Sequence, residues 1–196
     1  MQMYNNSNVF LSMCLVIGCS CSQESPTDLV KAEALAMKQH AKLLESLEES
    51  SGTGIYNNGI DLNLYYGGSY LDEEKNLTIC CTTEDNLIVE AFREAAGSPY
   101  VAVKYVKFTK EELDSLKEEF AGLLKAYKVD EELDEKEMKL VNDIMGYGVD
   151  VFTNQIRVSI RELDSDKEEL FNDLFDIFPI DCVRLEEGHK MTTTLR

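Results

Sequence analysis

The stretch Tyr66–Cys81, "YGGSYLDEEKNLTICC", reads as two short apolar strands around a polar turn, and Tyr147–Ile160, "YGVDVFTNQIRVSI", reads almost the same way. In the first, Leu77, Ile79 and Cys81 share one strand face while Thr78, Cys80 and Thr82 share the other. In the second, Ile156, Val158 and Ile160 face inward, with Arg157, Ser159 and Arg161 outward. Both stretches open Tyr-Gly, and each precedes a helical pattern and a closing strand. The helix after the first is "TTEDNLIVEAFREAAG", with Leu87, Ile88, Ala91, Phe92 and Ala95 apolar and Gly97 as its stop. After the second comes "DSDKEELFNDLF", with Ser165 and Glu168 spaced as a capping box. The closing strands "VKYVKF" (103–108) and "IDCVRL" (180–185) share an apolar-charged-apolar-Val-basic-apolar order. Two adjacent apolar residues interrupt alternation at the same place in both, as a bulge does. The expectation is a duplicated β-hairpin–helix–strand (ββαβ) unit, with helices packed on antiparallel sheet in an α+β fold.

Outward from these units, "SPTDLVKAEALAMKQHAKLLESLEES" predicts an N-terminal amphipathic helix. Ser25 suits its cap, and Val30, Ala34, Met37, Ala41 and Leu44 form an apolar stripe ended by "SSGTG". Thr109 with Glu112 predicts a capping box for a helix whose core face is Leu113, Leu116, Phe120, Leu123, Leu124 and Tyr127. The charged run "KVDEELDEKE" marks a boundary, followed by a helix that carries Val141 and Ile144 inward and ends at Gly146. The expected organisation is residues 1–18 as signal peptide, 19–54 as linker and N-terminal helix, and 55–128 as the first unit plus a helix. Residues 129–188 are a helix plus the second unit, and 189–196 are a tail.

The apolar run Asn8–Gly18 is shorter than the about 20 residues that a membrane-spanning helix needs, and it fits a secretory signal core. It ends Val16-Ile17-Gly18-Cys19, which resembles the bacterial lipobox. That resemblance implies removal of residues 1–18, lipidation of Cys19 and an extracytoplasmic chain anchored to the cell membrane through lipid. The segment before the run lacks Lys and Arg, a departure from the pattern.

A net charge of −18 repels phosphate backbones, so nucleic-acid binding has no electrostatic footprint. Six cysteines include no C-x-x-C, and those beyond Cys19 are expected as small apolar residues rather than metal ligands or bridges; Cys80 and Cys81, pointing to opposite faces, are not both expected in the core. Only two histidines are present, His40 and His189, and no phosphate loop, nucleophile elbow or H-E-x-x-H occurs. No catalytic residue, metal or cofactor is therefore assigned. The Gly67-Gly68 pair reads either as a strained turn, the preferred reading, or as a point of close backbone approach to a partner.

The residues "YYGGSYLDEEKNLTICCT", "VKYVKFTKEEL" and "GYGVDVFTNQIRVSIREL" together resemble the pro-region of alpha-lytic and streptogrisin-like serine proteases, in a Gram-positive lipoprotein context. Gly68, Tyr70, Leu71, Asp72, Asn76 and Leu77 match the first hairpin motif of that family. Gly148, Val149, Asp150, Asn154, Ile156 and Val158 match the second, and the similarity spans about residues 60–188. The resemblance implies a non-catalytic module that assists folding of a chymotrypsin-like serine protease and inhibits it. It also implies a partner-facing tail, Lys190, Met191, Thr192, Thr193, Thr194, Leu195 and Arg196. Two expectations follow: a stand-alone relative, or the front of a truncated protease gene. A cell-envelope lipoprotein that binds a peptide or wall ligand is the alternative.

Overall fold

A computed structural model describes residues 26–53 and 59–188. The chain is α+β: an N-terminal helix, then two three-stranded mixed sheets, each with its own helices. Helix α1 (Pro26–Thr53) leads through a 3₁₀ turn (Leu62–Tyr65) into β1 (Tyr66–Leu71) and β2 (Leu77–Cys81). Helix α2 (Asn86–Ala95) and β3 (Ala102–Tyr105) complete the first unit. Helices α3 (Lys110–Tyr127) and α4 (Glu135–Asp143) precede β4 (Ile144–Asp150), β5 (Gln155–Ile160), α5 (Ser165–Leu174) and β6 (Val183–Glu187).

The two sheets have one topology. β1 pairs antiparallel with β2, which pairs parallel with β3; β4, β5 and β6 repeat this arrangement. A helical crossover is what joins the parallel strands in each case. The ladders also match in detail. Tyr66 lies opposite Cys81, and Ile144 opposite Ile160; the next paired residues are Gly68 and Gly146, so Gly67 and Met145 bulge at the same rung. Each hairpin turn starts with an Asp whose Oδ1 accepts a backbone N–H, Asp72 from Asn76 and Asp150 from Phe152. Each contains one left-handed residue, Lys75 (φ 65°) or Asn154 (φ 57°).

This register corrects two alignments drawn from the sequence. Tyr66 is equivalent to Ile144 rather than Tyr147, because α4 ends at Asp143 and β4 starts at once, with Ile144–Gly146 in the strand rather than in the helix. In the closing strands, Val103 lies opposite Ile79 and Leu185 opposite Val158, so Leu185 holds the position of Val103, not of Phe108. The shared break in alternation has two different origins. In the first unit it marks the strand's end at Tyr105; in the second it marks the passage from a 3₁₀ turn (Ile180–Cys182) into β6. The matched bulges lie in β1 and β4 instead.

Each unit has a core. The first gathers Ala36, Leu43 and Leu47 of α1, Ile88, Ala91, Phe92 and Ala95 of α2, and Leu77, Ile79 and Cys81 of β2. The second gathers Ile156, Val158 and Ile160 of β5 against Leu113, Phe120 and Leu124 of α3, Leu140 and Val141 of α4, and Phe171 of α5. Helix α3, placed with the first unit on sequence grounds, thus packs with the second. Phe120 is its centre, with ring centroids 4.9 Å from Phe175 and 5.1 Å from Tyr147. Burying such rings removes large apolar areas from water, and their tilted contacts add specificity.

Local signals explain the helix ends. The Thr109–Glu112 capping box is present, and a second joins Asp134 and Glu137. Helix α5 is capped by Asp164, whose carboxylate accepts from Lys167 N, with Ser165 as the first helical residue; the expected Ser165–Glu168 box does not form. Gly97 takes φ 70° after α2, which ends there as expected. Helix α1 runs through Ser50 to Thr53, and its buried residues are Ala36, Leu43 and Leu47, not the predicted stripe. Leu87 is exposed as well.

Candidate functional site

The units meet where the second hairpin's turn, Val151–Asn154, lies on the outer face of the first sheet. Asn154 is the central contact. Its Oδ1 accepts from Lys107 N (3.1 Å) and Phe108 N (2.8 Å), and its Nδ2 donates to Phe108 O (2.8 Å). A side-chain amide has both donors and an acceptor, so it satisfies three backbone groups just after β3 that no strand pairs. Asn also tolerates the left-handed backbone this position requires.

The rest of the turn rests on a floor made by glycine. Gly68 has φ 109°, a region L side chains rarely enter, and a Cβ there would fall 2.6 Å from Val151 Cγ1. At Gly67 a Cβ would fall 2.5 Å from Val106 Cγ2. The pair lies in β1 rather than in a turn, Gly68 has the backbone that glycine permits, and the groups that approach both residues come from the chain itself. Lys104 Nζ donates to Phe152 O (2.9 Å) and lies 5.1 Å from the Phe152 ring centroid. The Phe152 and Tyr70 rings meet edge-on at 5.0 Å. Beside them Lys107 pairs with Asp181 at 2.5 Å, and Gln155 Nε2 donates to Asp181 O.

This docking overturns one expectation about the cysteines. Cys80 and Cys81 point to opposite faces of β2, yet both are fully buried. Cys81 lies under α1 and α2, whereas Cys80 is covered by the hairpin turn, with Val151 O 3.7 Å from its sulfur. Burial pushes both thiols above the ordinary cysteine range, with Lys104 opposing the effect at Cys80. Cys80, Cys81 and Cys182 are free, as expected of small apolar residues.

Among the described residues, the equivalent face of the second sheet is open. Directly opposed residues share a face, so Gly146 with Ser159, Gly148 with Arg157, and these with Glu186 and Arg184 make one surface. Among the described residues, nothing lies within 4 Å of a Cβ placed at Gly146 or Gly148. Ser159 Oγ and Arg157 both contact the Glu186 carboxylate, at 2.8 and 3.5 Å, while Arg184 is exposed. The adjoining edge strands differ in the same sense. β1 is buried along its first three residues; Met145, Gly146 and Tyr147 of β4 are exposed.

Elsewhere, Asp143 is buried on the second unit and pairs with Lys167 at 3.0 Å and Arg161 at 3.5 Å. A cleft of about 600 Å³ between Asn63–Leu64 and the start of α3 is lined by Glu111 and Glu112, but Glu112 is engaged in capping Thr109. Asp114, on the same helix, is held below the usual carboxylate range by its hydrogen bond from Lys110, an ordinary i,i+4 pair. His40 lies half-buried on α1. The proposed lipidation residue Cys19 and the proposed partner-facing residues Lys190–Arg196 lie outside the described residues. Among the described residues, no helix is long and apolar enough to cross a membrane.

No protein-family model matches the chain, and no curated protein is similar to it. The role of Asn154 as the clamp between units had a sequence signal in its repeated Asp-x-x-x-Asn turn. What the signal lacked was the segment it would bind.

Proposed function

We propose that this chain is a non-catalytic, extracytoplasmic protein-binding module, held to the membrane through lipid on Cys19. Its second sheet receives a turn or strand from a partner. The observation that supports this reading is the difference between two equivalent surfaces. The first sheet's outer face is contacted by a hairpin turn of the same chain; its counterpart, floored by Gly146 and Gly148 and edged by β4, is open among the described residues. An exposed edge offers backbone donors and acceptors to an added strand, and a glycine floor lets another backbone approach closely. The partner class implied by the sequence resemblance is a chymotrypsin-like serine protease, which the module would help to fold and would inhibit.

The test titrates the chain against a panel of secreted chymotrypsin-like proteases, following binding, inhibition and refolding yield. Gly148→Val is expected to leave the fold intact, because a Cβ there has no described neighbour within 4 Å, and to weaken partner binding at least tenfold. Deleting 190–196 is expected to weaken inhibition more than binding. Capture of a peptide or wall fragment, with no protease bound, replaces the protease reading with that of an envelope ligand-binding lipoprotein. Labelled fatty acid is expected on the chain and lost in Cys19→Ala; label that persists in that variant removes the anchor from the proposal.

A further inference from the structure

Helix α1 carries two apolar stripes, and among the described residues only one has a partner. Ala36, Leu43 and Leu47 are buried in the first core. The stripe read from the sequence lies on another side: Val30 is 66% exposed, Met37 56% and Leu44 39%, with Ala34 and Ala41 exposed between them. These five residues are spaced alternately four and three apart, the period of a coiled-coil seam rather than that of a single core-facing helix. With Ala34 and Ala41 at the a positions and Val30, Met37 and Leu44 at d, the flanking g positions are Glu33 and His40. The flanking e positions include Lys38 and Glu45.

Two copies in parallel register set each g residue against the e residue of the partner's next heptad. Glu33 then meets the second copy's Lys38, and His40 meets its Glu45. An antiparallel pair centred on Met37 would set Lys38 against its own counterpart. Among the described residues, Glu33, Lys38 and Glu45 make no ion pair, so the charges are available to a second copy. A lipid surface fits the stripe less well. Its borders carry both signs of charge, without the Lys- and Arg-rich polar face of interfacial helices.

We propose that α1 pairs with α1 of a second copy as a parallel two-stranded coiled coil through Val30, Ala34, Met37, Ala41 and Leu44. The helix is already ordered by its other face, so association carries no cost of helix nucleation. The seam is two heptads long with Ala at both a positions, which makes the pairing weak and concentration-dependent. It uses a different surface from the partner-binding reading and stands without it.

The test uses the full chain carrying Cys19→Ala, so that lipid plays no part. Light scattering over a concentration series is expected to show a dimer. Met37→Glu is expected to return it to the monomer mass with an unchanged circular dichroism spectrum. Glu33→Lys is expected to weaken the dimer, and adding Lys38→Glu to restore it. Val30→Cys and Leu44→Cys, each added separately and oxidised, are expected to link like to like at least tenfold faster than Lys42→Cys. Monomer at every concentration, with no such preference in linking, overturns the proposal. So does a mixture of the two cysteine variants that links mainly position 30 to position 44, which means antiparallel pairing. A monomer whose Met37 region is shielded by phosphatidylglycerol vesicles also overturns it, in favour of a membrane.

Discussion

The two sheet units share topology and bulge position, yet among the described residues their outer faces have opposite fates. In the first, Gly68, Cys80, Tyr70 and Lys104 lie beneath the second unit's turn. In the second, Gly146, Ser159, Gly148 and Glu186 occupy the same rungs and, among the described residues, have no such cover. The same strand arrangement therefore serves once as an internal socket and once as a face that no described residue covers. A small set of side chains separates the cases. Lys104 reaches a turn carbonyl, whereas Glu186 at the equivalent rung is held by Ser159 and Arg157 within its own sheet.

That contrast is most easily broken at the glycines and at the clamp. Gly68→Val combines a left-handed backbone with a clash against Val151, and is expected to cost about 3 kcal/mol or more, read from the urea midpoint. Asn154→Ala leaves three backbone groups of Lys107 and Phe108 without partners, and is expected to destabilise by about 2–3 kcal/mol. If Asn154→Ala instead proves neutral, the turn is not what holds the units together. Lys104→Ala removes a hydrogen bond and a cation–ring contact, with an expected loss of about 1 kcal/mol.

The thiols sharpen the comparison. Both Cys80 and Cys81 are expected to react slowly with a thiol reagent at pH 8, since burial blocks access and raises each pKa. Phe152→Ala loosens the turn over Cys80 alone and is expected to speed that thiol about tenfold, leaving Cys81 unchanged, as mass spectrometry of the labelled peptides can distinguish. The smallest effect is expected in the second unit. Gly146→Val and Gly148→Val should each lie within about 0.5 kcal/mol of the parent, because the side chains enter open space.

The duplicated hairpin was legible because strand alternation has a period of two and depends only on local order. Leu77-Ile79-Cys81 and Ile156-Val158-Ile160 point into the cores as the pattern predicts. Capping was legible at Thr109, where a hydroxyl and a carboxylate three residues apart satisfy each other's neighbours. The open face was not legible, since Arg157, Ser159 and Gly148 read as an ordinary solvated strand face whether or not anything covers them. The Val30–Leu44 stripe was found in the sequence, but periodicity cannot say which of two apolar faces meets a core.

By itself, then, the sequence determined the element types, the repetition and the two inward-facing strand patterns, all properties of residues within a few positions of one another. Only the tertiary structure decided the rung-by-rung equivalence, the assignment of α3 to the second core, the burial of Cys80 and the socket around Asn154. Each of these depends on segments far apart in the chain meeting in one geometry. Hydrophobic patterning is non-directional and leaves such choices degenerate. They are resolved by packing and by the demand that backbone groups taken from water find partners, as the part-buried groups of Lys107 and Phe108 find theirs in one asparagine.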